Sequence, residues 1–567
     1  MNYDDKPWLK FYDSWVKPEL AIPETSYAAL LEKIFADFAD HPAYYFLGTT
    51  ATFRQLDISS AGFAGFLSSI GCEPGQVVSI NLPNTPQFLI AMAGTLRAGC
   101  IVNGLSPLLT AKEMKHQLND CGARVLVTMD AIFEQKLLKI QDSVPRLSHI
   151  VATNVADYLS WPKRPLARLL KKVPSGKVGP LPGKSVLGFK ELPAKFPARA
   201  PAPSVKPDDT CLIQYTGGTT GLPKGTELSH KNMLSNIFQF NNWFDVKLGQ
   251  DISLSGFPFF HLAGLATSMG AMVNGCAQTL IPDPRNTKMI CREFVRHPPT
   301  VTSNVPTLYQ MLLKEPRFKT LDFSQLKGCI SGAAPFPVES FRALARIVGE
   351  GKLVEVYGMT ETSPLAIMNP YKGNKKIGSV GVPIQNTRVK LVDLETGNRE
   401  VPIGEEGELI VQGPQVMKGY LGKPQETAHA LREFNGEKWL HTGDVARMDQ
   451  DGYFFLVDRA KDMLNVSGYK VFSREVEETL GSHPAIELCA IIAAPDQNRP
   501  GNERVKAVIQ LRPAFQSQDQ DQLKKEILNF CRENMAPYKT PKIIEFTSRL
   551  PLTPIGKVDK KLLRQKS

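Results

Sequence analysis

No stretch of the 567-residue chain reaches about 18 uninterrupted apolar residues, so no membrane-spanning helix is expected. Cysteines are few and scattered. Cys72, Cys100, Cys121, Cys211, Cys276, Cys291, Cys329, Cys489 and Cys531 make nine, an odd number, with no CxxC and no Cys/His pair at ligand spacing. That excludes a disulfide framework and a structural zinc, and predicts reduced, mostly buried thiols in a cytoplasmic protein. The start, Met1-Asn2-Tyr3-Asp4-Asp5, lacks the basic residues and apolar run of a signal peptide, and Arg564-Gln565-Lys566-Ser567 is not a peroxisomal address. With 43 Gly and 43 Pro, the chain stays well below the roughly 25% at which low-complexity sequence begins.

Acids are missing from one segment. Lys+Arg number 67 against 56 Asp+Glu, a net charge of +11, yet Lys163, Arg164, Arg168, Lys171, Lys172, Lys177, Lys184 and Lys190 follow one another with no acid between Tyr158 and Lys190. Without these eight the excess falls to +3, which argues against a protein whose whole surface binds nucleic acid. Trp161 to Pro207 also holds ten prolines and reads as an insertion or connector. Its Leu159 to Lys172 part mixes Trp and Leu with cations. That fits a solvated connector and a short amphipathic piece touching anionic lipid equally well, so 158–190 is the expected place of any peripheral contact with the inner membrane.

The remaining sequence is rich in short apolar runs alternating with helical patterns. Val77 to Leu82, Val125 to Val127 and His149 to Ala152 read as strands and Thr85 to Ala98 as a helix, the texture of βαβ units and a largely parallel sheet. After Lys390 the texture becomes β-rich. The charged run Asp458-Arg459-Ala460-Lys461-Asp462 then separates it from about 105 residues with their own strands and an amphipathic Gln522 to Met535, enough for a small domain. The expected fold is α/β: a large domain of stacked mixed and parallel sheets with helices over 1–458, a basic Pro-rich insertion at 158–207, a hinge at 459–461 and a small mobile α+β domain over 462–567.

The strongest local signal is Tyr215-Thr216-Gly217-Gly218-Thr219-Thr220-Gly221-Leu222-Pro223-Lys224-Gly225, directly after the apolar Cys211-Leu212-Ile213. Glycines let backbone N–H groups turn inward, threonine hydroxyls sit among them and a lysine follows, a set that suits polyphosphate oxygens. It is not a Walker A loop, since no GxxxxGK[ST] occurs. A flexible Gly/Thr linker is the alternative, weakened by the strand before the loop.

These eleven residues resemble the phosphate-binding signature of the adenylate-forming superfamily. Tyr357-Gly358-Met359-Thr360-Glu361-Thr362 is similar to its second signature. His441-Thr442-Gly443-Asp444 with Asp458-Arg459-Ala460-Lys461-Asp462 resembles its third, and Asn465-Val466-Ser467-Gly468-Tyr469-Lys470 and Pro554-Ile555-Gly556-Lys557 complete the series in the expected order. The resemblance runs from about residue 25 to the end and is nearest to bacterial long-chain fatty acid:CoA ligases. It implies activation of a medium- to long-chain fatty acid by Mg·ATP to acyl-AMP and pyrophosphate, then transfer to coenzyme A. Aryl or other acid:CoA ligases, an acyl-AMP ligase loading a carrier protein, and a non-catalytic acyl or nucleotide sensor are the alternatives; a homodimer is compatible with all of them.

The resemblance also implies residue roles. Thr216, Gly217, Gly218, Thr219, Thr220, Gly221 and Lys224 would hold ATP phosphates. Glu361, with Thr216, would ligate the Mg²⁺ that ATP carries, an oxygen-seeking ion. Thr360 would donate to the α-phosphate. Gly332, Ala333 and Ala334 would form the adenine loop, with Tyr357, Gly358 and Met359 beside them. Asp444 would accept the ribose hydroxyls and Arg459 approach ribose or phosphate. Lys557 would bridge carboxylate and α-phosphate. Lys461, Gly468 and Lys470 would serve hinge and CoA. Each has a plainer alternative: a turn carboxylate, a tight loop, one of many tail lysines. His261, after Phe257-Pro258-Phe259-Phe260, is either a packed core residue or a gate at the acyl site, and not a general base, because a carboxylate nucleophile is already ionised at neutral pH. Leu262 to Ala266 and Gly270-Ala271-Met272 offer small residues for an alkyl tunnel or for close helix packing. Phe472-Ser473 stands where relatives commonly carry Tyr-Pro.

Overall fold

The computed structural model describes residues 2–159, 174–196, 204–216, 223–460, 462–466, 469–495, 503–553 and 557–565, without the side chain of Lys470; counts of strands refer to these residues. Two large sheets form the body. An eight-stranded sheet runs Gly419–Tyr420, Lys224–Ser229, Thr210–Thr216, Ile101–Gly104, Val77–Asn81, Val125–Met129, His149–Thr153 and Ser185–Gly188. Its central strands pair in parallel, Val78 with Val102 and Val125 among them, and Val77–Asn81 is buried at every position, as a strand covered on both faces must be.

A nine-stranded sheet runs Val382–Pro383, Leu365–Met368, Leu353–Gly358, Gly328–Ser331, Val301–Asn304, Ile252–Ser255, Ala277–Thr279, Pro42–Phe46 and Thr49–Thr52. One apolar core joins the two sheets, with Phe46 contributed by one, Val78 and Ile80 by the other, and Phe88 and Leu265 by helices between them. The helix Pro86–Arg97 is buried at all positions, which explains why its sequence shows no polar stripe. Local signals agree with this packing: Thr110 with Glu113 and Ser229 with Asn232 close capping boxes at the starts of Ala111–Asp120 and His230–Trp243.

A five-stranded antiparallel sheet follows (Arg388–Val392, Glu406–Gln412, Glu437–Met448, Leu431–Phe434, and Phe454–Arg459 on Glu437–Met448). The small C-terminal domain has the ribbon Leu464–Val466 with Tyr469–Val471 and the three-stranded sheet Ile486–Pro495, Glu503–Leu511, Ile543–Thr547. The helices Ser473–Gly481 and Gln520–Asn534 pack on it around its own core of Val476, Leu480, Ile491, Ile509 and Ile527.

One expectation needs correction. The segment Trp161 to Pro207 is not connector throughout: Ser185–Gly188 adds an edge strand to the eight-stranded sheet, and Phe189 and Leu192 enter the main core. Proline frequency hid this, because a four-residue strand with polar neighbours carries little periodicity. Of the eight cations, Lys163, Arg164, Arg168, Lys171 and Lys172 lie outside the described residues, and with them the amphipathic piece. Lys184 is structural, its Nζ donating to the carbonyls of Val144 and Leu147 at 2.9 and 2.7 Å. All nine cysteines are free and eight are buried.

Candidate active site

The C-terminal ends of strands from both large sheets open into one cavity of about 2080 Å³, which the small domain helps to close. Thr216 ends one strand of the hairpin and Lys224 begins the next, facing each other in register, so both stand at the mouth of the glycine loop. Gly217, Gly218, Thr219, Thr220 and Gly221 lie outside the described residues. Lys224 is ion-paired with Glu426, and its Nζ sits 4.8 Å from the Tyr420 ring centroid.

Gly332, Ala333 and Ala334 follow the strand Gly328–Ser331 and line the same cavity. A Cβ on Gly332 would fall 2.7 Å from Val356 Cγ2, so the loop lies against the neighbouring strand as only glycine allows. Tyr357, Gly358, Met359 and Thr360 continue the lining, and Glu361 is buried in a short helical turn. Glu361 Oε1 accepts a hydrogen bond from Tyr420 at 2.8 Å. Burial raises the pKa of Glu361 above the ordinary carboxylate range, and the Tyr420 bond opposes that rise.

Asp444 is the pivot of the polar wall. Its Oδ2 accepts from Tyr357 Oη at 2.7 Å and its Oδ1 from Arg459 Nε at 2.8 Å. Each oxygen keeps a further lone pair for a ligand hydroxyl. Tyr357, expected as a stacking ring, is thus seen here orienting the Asp444 carboxylate. Lys557, from the far end of the small domain, stands in this cavity. Its side chain is exposed to the interior of the cavity. Desolvation, then repulsion from Arg459, pulls its ammonium down to about 8, with Asp444 opposing. His261 caps the helix Leu262–Val273: Ala263 N–H donates to Nδ1 at 3.3 Å, which leaves the ring proton on Nε2. Burial, then the charge of Lys557, lowers His261 to about 4, so it is neutral and no base is required of it. Lys461, Gly468 and the Lys470 side chain lie outside the described residues; the Lys470 backbone pairs with Asn465.

Comparisons with known proteins fit this geometry. The family model described as AMP-binding enzyme matches residues 31–421, and AMP-binding enzyme C-terminal domain matches 475–557. The chain belongs to this family. A long-chain-fatty-acid–CoA ligase of Bacillus subtilis (strain 168) is 37% identical over 98% of this chain and 96% of its own. A feruloyl-CoA synthase of Amycolatopsis sp is 34% identical over 92% and 94%. Among solved structures, the anthranilate CoA ligase AuaEII in complex with anthranoyl-AMP has a TM-score of 0.82 at 27% identity, covering 100% of this chain and 99% of that one.

Beyond the polar wall, the cavity of this AMP-binding enzyme has an apolar arm beside the helix Leu262–Val273. Ala263, Ala266, Thr267 and Gly270 lie on one helical face, line the arm and are partly accessible, whereas Leu262, Gly264, Leu265 and Met269 are buried. The small residues thus divide. Gly264 serves packing, since its Cβ would meet Pro258 O at 2.2 Å; Gly270 faces open space.

Sequence reasoning missed two residues here. Tyr420 sits on the short strand Gly419–Tyr420, too short to announce itself, and only tertiary structure brings it to Glu361. Glu355 is buried in the strand Leu353–Gly358 and lines the cavity; desolvation raises it to about 7 against the opposing charge of Arg474 from the small domain. A lone acid inside Leu-Val-Glu-Val-Tyr was its visible signal.

Proposed function

We propose that this AMP-binding enzyme is an AMP-forming long-chain fatty acid:CoA ligase. The observation that carries the reading is the apolar arm continuous with a nucleotide wall into which Lys557 projects. In the first half-reaction the acid's carboxylate attacks the α-phosphorus of ATP, the bond to the β-phosphate oxygen breaks, and acyl-AMP and pyrophosphate result. Lys557 and Thr360 are placed to receive the charge that gathers on the α-phosphoryl oxygens, and Asp444 with Arg459 fixes the ribose; such positioning and charge compensation are what phosphoryl transfer requires of a protein.

The donor set also fits Mg²⁺. Glu361 offers a buried, acceptor-only carboxylate lining the same cavity as Thr216, and no group of three His, Cys, Asp or Glu among the described residues could hold a resident metal of its own. When bound with ATP, Mg²⁺ neutralises phosphate charge.

In the second half-reaction the CoA sulfur attacks the acyl carbonyl and AMP leaves. Lys557 occupies the approach to that carbonyl, so the small domain turns about 459–461, and Gly468 and Lys470 serve the incoming CoA. The rival acid is aromatic, as the feruloyl-CoA synthase name shows for that relative. A flat aryl group would leave most of the arm empty. AMP release measured across straight-chain, aryl and dicarboxylic acids, with and without CoA, tests the reading. CoA-dependent turnover highest on long straight chains is expected; CoA-independent release, or a preference for aryl acids, refutes it.

A further inference from the structure

We propose that the acyl arm gauges chain length at Gly270, where the methyl-end half of a long unbranched chain passes, and that the amide pair Asn241–Asn274 is its floor. This inference rests on the fatty-acid reading above and names which acids that site takes.

Gly270 lies inside a helix, where glycine in place of alanine is destabilising. Neither of the usual reasons for glycine applies. Its φ is not positive, and a Cβ on it would meet only Ile237 Cγ2, at 3.9 Å. What the missing side chain preserves is open space in the arm. The same cavity is small-walled on the sheet: Ser253 and Val301, in register on neighbouring strands, line it and are partly accessible although their strands lie inside the sheet.

The helix provides the scale. Gly270 is nine positions beyond His261, about 13 Å along the axis at 1.5 Å per residue, or roughly ten methylenes of an extended chain. Octanoate therefore ends short of Gly270 and palmitate passes it. Asn274 lies four residues farther on, about 6 Å. There Asn241 Nδ2 donates to Asn274 Oδ1 at 2.7 Å and Asn274 Nδ2 returns a bond to Asn241 Oδ1 at 2.9 Å. The two amides engage each other and close the end of the arm. Asp251 is the charged residue at this end, its Oδ1 held by Lys327 Nζ at 2.7 Å. No described lysine or arginine lines the arm along the helix, so a second carboxylate would be buried without a partner, which is costly. The acids that fit are linear monocarboxylic ones.

The test is kcat/KM from CoA-dependent AMP release on octanoate, palmitate, hexadecanedioate and ferulate, for wild type, Gly270→Ala and Gly270→Leu. Filling the gap with leucine is expected to lower palmitate turnover by about tenfold or more and to leave octanoate within about twofold, since several methylenes lose their place. Wild type should prefer palmitate over hexadecanedioate by at least about tenfold. Thermal unfolding and octanoate turnover report whether Gly270→Leu is folded; if it is not, Gly270→Ala decides, with an expected fall of about two- to threefold in the palmitate/octanoate ratio. A wild type that uses palmitate, with an unchanged palmitate/octanoate ratio in the folded variants, overturns the gauge alone. A wild type that uses ferulate and neither monocarboxylic fatty acid overturns the fatty-acid reading and the gauge with it.

Discussion

Asp458 caps the helix that begins at Ser473 from the other side of the domain boundary. Its Oδ1 accepts from Ser473 Oγ at 3.2 Å and its Oδ2 from the Arg474 N–H at 3.3 Å, while Phe472, the residue at the cap position, supplies no side-chain bond. Lys560 Nζ in turn donates to Ser473 Oγ at 2.7 Å, three residues from Lys557. A proline at 473 would make neither side-chain bond, so Phe472-Ser473 couples the large domain to the segment bearing Lys557.

Ser473→Ala keeps the Arg474 N–H bond to Asp458 and removes the two Ser473 Oγ bonds; losing one hydrogen bond costs about 0.5–1.5 kcal/mol, equivalent to roughly two- to twelvefold in an equilibrium. Ser473→Ala is therefore expected to slow pyrophosphate release and to leave CoA-dependent turnover of supplied acyl-AMP unchanged or faster. Rapid-quench measurement of the two half-reactions checks this, and equal slowing of both would contradict a latch on the adenylating arrangement.

Lys557→Ala should reduce acyl-AMP formation by about 100-fold or more, the range for removal of a charge-stabilising donor, while sparing much of the thioester step from supplied acyl-AMP. The lowered ammonium also gives a pH signature. Below about 8 Lys557 is charged, the form that would stabilise the α-phosphoryl oxygens; above it the neutral amine predominates. In wild type, kcat/KM for ATP should therefore decline on the alkaline side with an apparent pKa near 8. Lys557→Arg, whose guanidinium does not titrate there, should lose that limb.

The parts of the site carried by contiguous residues were legible in the sequence, and those assembled by packing were not. Thr216, Gly332, Tyr357, Glu361, Asp444 and Lys557 stand in local motifs whose side-chain types already state their chemistry, and all line one cavity. The strands Val77–Asn81 and His149–Thr153 were equally plain, because a short β-branched apolar run alternating with helical patterns favours a buried strand. Tyr420 and Glu355 matter through neighbours 59 and 119 positions away, Glu361 and Arg474, and no local pattern encodes such distances. Likewise Ala263, Gly264 and Gly270 look alike in sequence, and only the space above each separates packing from cavity wall.

Tyr420→Phe should weaken the use of Mg·ATP without removing any group that meets the acid. The lost bond is one that holds Glu361 ionised against desolvation, so in the variant Glu361 titrates at higher pH. Pyrophosphate release should then fall off at higher pH on the acid side than in wild type, and excess Mg²⁺ should restore part of it, with a deficit at neutral pH of about five- to tenfold, near the 1–1.5 kcal/mol of one hydrogen bond. Glu361→Ala should lose Mg-dependent pyrophosphate release altogether. A Tyr420→Phe pH profile superimposable on wild type would separate Tyr420 from the ionisation of Glu361.

Gly358 is expected to tolerate no side chain, because the second signature turns back on itself there. The strand pairing Tyr357 with Ile367 and Gly358 with Leu365 shifts register between those two pairs, and a Cβ on Gly358 would lie 1.8 Å from the carbonyl oxygen of Pro364. Neither neighbour is the free end of a flexible chain, so the backbone carrying Thr360 and Glu361 must move. Gly358→Ala should lower stability by about 1–3 kcal/mol, the range for overpacking, and reduce adenylation by more than that loss of fold accounts for. Gly481→Ala is the control. Its Cβ meets nothing within 4 Å at the end of the helix Ser473–Gly481, so it should be neutral or gain up to about 1 kcal/mol. Thermal unfolding of both variants beside their pyrophosphate release separates the two effects. A Gly358→Ala protein with wild-type melting and wild-type release would mean that the turn carrying Glu361 relaxes freely.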